Sequence, residues 1–183
     1  MLTGSGRLGR REFLRTGLAA IPVLLTRPAR AGSAAPFRRA LALRNLHTGE
    51  SLHRVYWEDG RFVPDALRDI DWVLRDHRTD QVHEIDRGLL QLLSALHSRL
   101  DTTEPFEIIS GYRSPATNAL LQATTTGVAA NSLHPRGMAI DIRVPGRPLR
   151  RLRAAALALR RGGIGYYPES DFVHIDVGRV RRW

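Results

Sequence analysis

Apolar and polar positions along this chain alternate with two periods, and the changes of period mark its elements. Short alternating runs over 39–46 and 51–57 flank His47-Thr48-Gly49-Glu50, a turn signal, and predict a β-hairpin. Glu58-Asp59-Gly60 turns the chain again. From Pro64, a residue suited to the first position of a helix, Ala66, Leu67, Ile70, Val73 and Leu74 recur at helical spacing. Asp86 then suits the N-cap of a second helix, to which Leu89, Leu90, Leu92, Leu93, Leu96 and Leu100 give a broad apolar face.

Phe106–Ile109 reads as a short strand, and Ser114-Pro115 opens a helix over 115–124. Residues 124–131 are small and polar, a loop. Met138–Val144 is a strand, Pro148–Arg161 a helix ended by Gly162-Gly163, and Ile164–Tyr167 and Phe172–Val177 two more strands; Gly178–Trp183 is a tail. Helices and strands mix without regular alternation, so the expected fold class is α+β, an antiparallel sheet with packed helices.

Composition adds a boundary. With 183 residues, 43% of them hydrophobic and 25% charged, the chain suits one domain with a real core. The formal net charge is +10, and every basic residue is Arg. Arg7, Arg10, Arg11, Arg15, Arg27 and Arg30 crowd the first 31 residues against one acid, Glu12. Gly9-Arg10-Arg11-Glu12-Phe13-Leu14-Arg15 resembles the twin-arginine export motif. A run too short to span a bilayer follows, from Leu18 to Leu25, and then Ala29-Arg30-Ala31, a small-x-small cleavage pattern. The chain is therefore divided into a twin-arginine signal peptide over 1–31, a linker over 32–38 and a domain over 39–183, exported to the periplasm or another extracytoplasmic space. The basic residues beyond the leader form no dense face with interleaved aromatics, so nucleic acid is not an expected partner. A polyanionic wall matrix suits a mildly basic domain. No cysteine is present, which leaves His, Asp and Glu as metal ligands.

Candidate chemistry lies in Ser132-Leu-His134-Pro-Arg-Gly137-Met-Ala-Ile-Asp141 and Asp171-Phe-Val-His174-Ile-Asp176. Side chains alternate faces along a strand. Met138, Ile140, Ile142 and Val144 share one face, so Asp141 lies on the other. Val173, Ile175 and Val177 share a face, which places His174 and Asp176 opposite. Two such strands side by side would bring Asp141 and His174 together, with His134 just upstream, where Gly137 lets the chain turn back. Two histidines and one carboxylate form the ligand set of a catalytic zinc site. Zinc would bring a water to ionise near neutral pH, and a hydrolase needs in addition a base and a group for the developing oxyanion. The alternative is a satisfied histidine on each segment and a buried, hydrogen-bonding Asp141.

Ser132-x-His134-x-x-Gly137-x-Ala139-x-Asp141 followed by a later His resembles the zinc peptidases of the D-Ala-D-Ala carboxypeptidase and hedgehog type. Ser110-Gly-Tyr-Arg-Ser-Pro115, Asn131-Ser-Leu-His134 and the stretch from Gly163-Ile-Gly-Tyr-Tyr-Pro to Phe172-Val-His174-Ile-Asp-Val-Gly178 resemble more closely the MepK (YcbK-like) murein endopeptidases. The resemblance covers nearly all of residues 40–183. It implies the zinc peptidase fold, zinc held by His134, Asp141 and His174, and Arg113 acting on the oxyanion or a substrate carboxylate. It implies that Ser132 orients the site. The wider group places a Glu three residues before the last His, and here Asp171 stands there. Asp176, as base or as partner of His174, is the other candidate. Tyr112, Tyr166 and Tyr167 lie near the motifs, as cleft or packing residues, with Tyr112 the substrate-facing candidate.

The expected function is a monomeric zinc endopeptidase acting on the peptide stems and cross-links of peptidoglycan. The alternatives are a D,D- or L,D-carboxypeptidase trimming stems and a non-catalytic zinc-containing wall-binding module.

Overall fold

The computed structural model describes residues 37–125 and 131–183. The expected leader over 1–31 and most of the linker over 32–38 lie outside the described residues. The chain runs through β1 (Arg38–Asn45), β2 (Ser51–Glu58), β3 (Arg61–Phe62), α1 (Pro64–Val73), α2 (Arg87–Leu100), β4 (Phe106–Ser110) and α3 (Pro115–Thr124). A single 3-10 turn (His134–Arg136) leads to β5 (Ala139–Arg143), α4 (Leu149–Ala158), β6 (Gly163–Tyr167), β7 (Phe172–Asp176) and β8 (Arg181–Arg182). Among the described residues no helix is long and apolar enough to cross a membrane.

The expected starts are present for local reasons. Pro64 occupies the first turn of α1, where its missing N–H costs nothing. The Asp86 carboxylate accepts from Gly88 N at 2.7 Å and Leu89 N at 3.2 Å and so caps α2. Ser114 Oγ accepts from Thr117 N at 3.2 Å and opens α3.

The described strands form one eight-stranded sheet in the order β3-β2-β1-β4-β5-β7-β6-β8. Most pairs are antiparallel, but β1 with β4 and β6 with β8 run parallel, so the sheet is mixed rather than antiparallel throughout. The first parallel pair follows from the long crossover through α1 and α2, which returns the chain in its original direction. The second falls in the expected tail, where Arg181 and Arg182 form a strand too short to show a period; β3 is equally short.

The leucines of α2, with Ile70 of α1 and Leu152 and Ala156 of α4, pack on Ile140, Ile142, Val173 and Ile175 of the central strands in one core. Leu89, Leu90 and Leu93 are wholly buried, and each contributes roughly 1.5–3 kcal/mol by leaving water. That apolar layer fixes which face of β5 and β7 is left for chemistry.

Candidate metal centre

Strands β5 and β7 are antiparallel neighbours whose register is set by their apolar partners, Ile140 opposite Ile175 and Ile142 opposite Val173. Asp141 is therefore the direct register partner of His174, on the face turned from the core. A one-residue slip would drive both polar side chains into the leucines, so burial itself specifies the pairing.

His134 comes from the 3-10 turn. That turn ends at Gly137, whose φ is +63° and whose missing Cβ would lie 2.3 Å from the Glu84 carbonyl oxygen. Only glycine suits both conditions. The turn packs beside the loop that follows β4. Tyr112 N donates to Leu74 O at 2.8 Å, and Ser114 N donates to the Asp76 carboxylate at 2.8 Å. A side chain at Gly111 would meet the Leu74 carbonyl at 2.5 Å. The end of α1 thus grips the loop, and the loop's Gly111 carbonyl accepts from His134 Nδ1 at 2.7 Å. A carbonyl only accepts, so the His134 proton is on Nδ1 and Nε2 carries a bare lone pair.

His174 is held in the opposite sense. Its Nε2 lies 3.1 Å from Asp176 Oδ2 and its Nδ1 lies 2.8 Å from Asp141 Oδ1. His134 Nε2 is 3.3 Å from both His174 Nδ1 and Asp141 Oδ1. Among the described residues these three form a group whose ligand atoms all lie within 4.8 Å of one another. A tetrahedral ion with arms of 2.0–2.1 Å spaces its ligands about 3.3 Å apart. The lone pair of His134 lies at that spacing from the Nδ1 of His174 and from an anionic oxygen of Asp141, while those two, hydrogen-bonded at 2.8 Å, have to part by about 0.5 Å. The far atom of each is already bonded: Nδ1 of His134 to Gly111, Nε2 of His174 to Asp176, and Oδ2 of Asp141 to Arg113. The donor set fits a divalent metal bound by nitrogen and oxygen, with its outer partners in place.

The charges agree. Burial pushes the His134 pKa down and keeps it a neutral ligand. Burial opposes the Asp141 carboxylate, but His134, His174 and Arg113 outweigh it and hold its pKa well below the usual range. Burial also opposes charge on His174, yet its hydrogen bonds to Asp141 and Asp176 raise its pKa, so the Nδ1 proton given to Asp141 has to leave before that nitrogen binds a metal. Arg113, itself depressed by burial, also donates from Nε to Ser110 Oγ at 2.7 Å.

The cluster opens into a cleft of about 250 Å³ whose walls include Arg113, Ser132, Tyr167, Phe172 and Trp183. Ser132 Oγ accepts from His134 N at 3.4 Å. Tyr112, expected to face substrate, is instead buried, stacked on His83 with centroids 4.8 Å apart, and lies outside the cleft wall. The two carboxylates expected to supply a base are not brought into the cleft either. Asp171 takes a left-handed turn, φ +51°, just before β7 and pairs with Arg143 at 2.8 Å. Asp176 is fully buried behind His174. Its carboxylate accepts from Gly163 N at 2.9 Å, Gly178 N at 2.8 Å and Arg181 Nη2 at 2.7 Å. Among the described residues of the cleft wall, Asp141 is the one carboxylate. The sequence reads Trp183 only as a packing residue of core or tail, and Arg181 carries no signal, because a two-residue strand has no period.

The family model described as peptidoglycan L,D-endopeptidase MepK matches residues 33–183. The Escherichia coli (strain K12) protein named peptidoglycan L,D-endopeptidase MepK is 42% identical over 175 residues, covering 95% of this chain and 96% of the relative. The Haemophilus influenzae protein named probable peptidoglycan L,D-endopeptidase MepK is 40% identical over 176 residues, covering 95% of each. No solved structure matches. Three motifs in order, a family match over residues 33–183 and relatives at this identity agree, and the chain belongs to the peptidoglycan L,D-endopeptidase MepK family.

Proposed function

We propose that this protein is a zinc-dependent murein endopeptidase that hydrolyses peptide cross-links of peptidoglycan outside the cytoplasm, with L,D-linked stems as substrate. The convergence of His134 Nε2, Asp141 Oδ1 and His174 Nδ1 on one point carries the reading. The names of its relatives supply the substrate. The leader over 1–31 is read as a twin-arginine signal that delivers a folded domain.

In this reading His134, Asp141 and His174 hold the metal. When bound, zinc supplies a Lewis acid and a water that ionises near neutral pH. Arg113 stands beside the centre with one guanidinium arm on Asp141 and its Nε on Ser110. Its Nη1 has no acceptor among the described residues and is free to meet the carbonyl oxygen of the scissile bond as charge develops there. Asp176 keeps the proton of His174 on Nε2, which leaves Nδ1 as the donor atom. Both Asp176 oxygens are engaged, so its task is positioning. Ser132 holds the His134 turn. Asp171, on Arg143, is left outside the chemistry.

The test is to incubate purified protein with muropeptide dimers joined by L,D or by D,D bonds, with and without a chelator, and to read products by mass spectrometry. Chelator-sensitive monomer release from the L,D dimer is expected, restored by zinc. Loss of a terminal residue alone would replace the endopeptidase with a carboxypeptidase. Bound zinc with no product would leave a wall-binding module.

A further inference from the structure

Beyond the metal ligands and Arg113, the cleft holds one hydroxyl whose orientation is dictated by its neighbour. Tyr167 and Gly165 lie on the same face of β6. Gly165 is the register partner of His174, and Tyr167 that of Phe172. The Tyr167 backbone is thus two residues beyond the centre, about 6.7 Å along the strand. Its ring stacks on Phe172 with centroids 4.6 Å apart and planes 21° apart.

The space above Gly165 is filled by two rings. A Cβ there would lie 2.8 Å from Cε2 and Nε1 of Trp183 and from Cε2 of Tyr167. Trp183 is seated by its own backbone: Tyr166 N donates to Trp183 O at 3.1 Å, and Trp183 N donates to Ile164 O at 3.2 Å. Its ring lies 5.3 Å from that of His174, and Trp183 Nε1 donates to Tyr167 Oη at 2.7 Å.

An indole N–H can only donate. The Tyr167 oxygen is therefore the acceptor of that bond, and the phenol must send its own proton elsewhere. No acceptor for it exists among the described residues, and the side chain lines the cleft. Accepting from the indole also makes the phenol a better donor. Arg113 lines the same cleft.

We propose that Tyr167 is a further catalytic residue, donating a hydrogen bond to the carbonyl oxygen of the scissile peptide as negative charge develops, with Trp183 as the positioning residue that aims it. Gly165 is what makes room for the pair. The inference rests on the peptidase reading above and adds to it a second donor beside Arg113.

The experiment compares full-length wild type, Tyr167→Phe, Trp183→Phe and the double variant on the L,D-linked dimer. Zinc content, thermal midpoint and dimer binding by the chelated protein are measured alongside. Tyr167→Phe keeps the ring and its stacking. Its kcat is expected to fall about a hundredfold, the order seen when one oxyanion donor is removed. KM, zinc content and dimer binding should stay within twofold. Trp183→Phe should lower kcat less, by about tenfold, and the double variant should match Tyr167→Phe, because the indole acts through the phenol. A kcat for Tyr167→Phe within twofold of wild type overturns the proposal, as does a change confined to KM or to zinc content. An additive double variant removes Trp183 from the role given to it. A wild type that leaves every dimer intact refutes the peptidase reading and this inference together, whereas an active wild type with an equally active Tyr167→Phe refutes the inference alone.

Discussion

Asp176→Asn is the sharpest perturbation of the proposed centre, because it changes one atom in a group with no slack. Asp176 Oδ1 receives Gly163 N, Gly178 N and Arg181 Nη1, at 2.9, 2.8 and 3.2 Å. Oδ2 receives Arg181 Nη2 at 2.7 Å and faces His174 Nε2 at 3.1 Å. An asparagine can satisfy the two backbone donors only by placing its carbonyl at the Oδ1 position. Its amide then confronts Arg181 and His174, donor against donor. The imidazole relieves its half of the conflict by giving up the Nε2 proton and keeping the one on Nδ1, which faces Asp141 at 2.8 Å. Returning it to the ligating tautomer leaves a buried donor unsatisfied, at about 1–3 kcal/mol. Zinc affinity should therefore fall about ten- to a hundredfold, the range typical of a lost outer partner of a metal-bound histidine. Competition with a chromophoric chelator measures the affinity, and nitrogen NMR of the metal-free protein reads which ring nitrogens carry protons. A folded Asp176→Asn variant with wild-type zinc affinity and the proton still on Nε2 would refute the assignment of Asp176 as the group that orients His174.

Three further outcomes follow from positions away from the ligands. Asp76 is 1% exposed and accepts from Arg78 N and Ser114 N, at 3.0 and 2.8 Å. Burial opposes its charge, but these bonds and one with Thr117 depress its pKa. A depressed carboxylate stabilises the fold above its unfolded pKa, about 3.9, and loses that contribution as pH falls through the folded value. Asp76→Asn should cost about 2–3 kcal/mol at pH 7 by urea unfolding, and the gap from wild type should narrow below about pH 4. Gly162→Ala should cost about 3 kcal/mol or more, since its φ is +64° and a Cβ would lie 1.6 Å from the Asp176 carbonyl oxygen. Gly146→Ala, with φ +67° and open space around it, should cost only the backbone strain of about 1–2 kcal/mol; equal thermal midpoints for the two would contradict the packing argument. Asp171→Asn removes a solvent-exposed pair with Arg143. It should change stability by less than about 1 kcal/mol and leave kcat unaltered; a hundredfold loss would return Asp171 to the chemistry as its base.

Period-two alternation carried much of the candidate site. Asp141 and His174 could be set on one open face because Ile140, Ile142, Val173 and Ile175 left no other choice. The same rule put Asp176 beside His174, and there it is. What alternation could not show is depth: Asp176 is closed over by Gly163 at the start of β6, Gly178 in a bend and Arg181 in a two-residue strand, none of them marked by a pattern of its own. Asp171 illustrates a different limit. A left-handed residue at the entrance to β7 re-aims the side chain, and a non-glycine in that conformation leaves no mark in composition. The helices were legible from their caps and leucines. The parallel pairing of β1 with β4 was not, because strand order depends on how α1 and α2 pack, a non-local outcome.

The grip of the Leu74–Asp76 turn on the loop bearing Gly111 and Arg113 bears on how the centre is charged with its ion. His134, Asp141 and His174 are each anchored at the far end by a carbonyl, a guanidinium or a carboxylate belonging to the folded chain. Their conformational entropy is already spent when folding ends. Uptake of the ion is then a docking event whose rate follows the ion's approach and dehydration and the release of the His174 proton, rather than refolding of the chain. A stripped protein of this construction should reload in place, cycle after cycle, and a passing shortage of metal would silence it without consigning it to proteolysis.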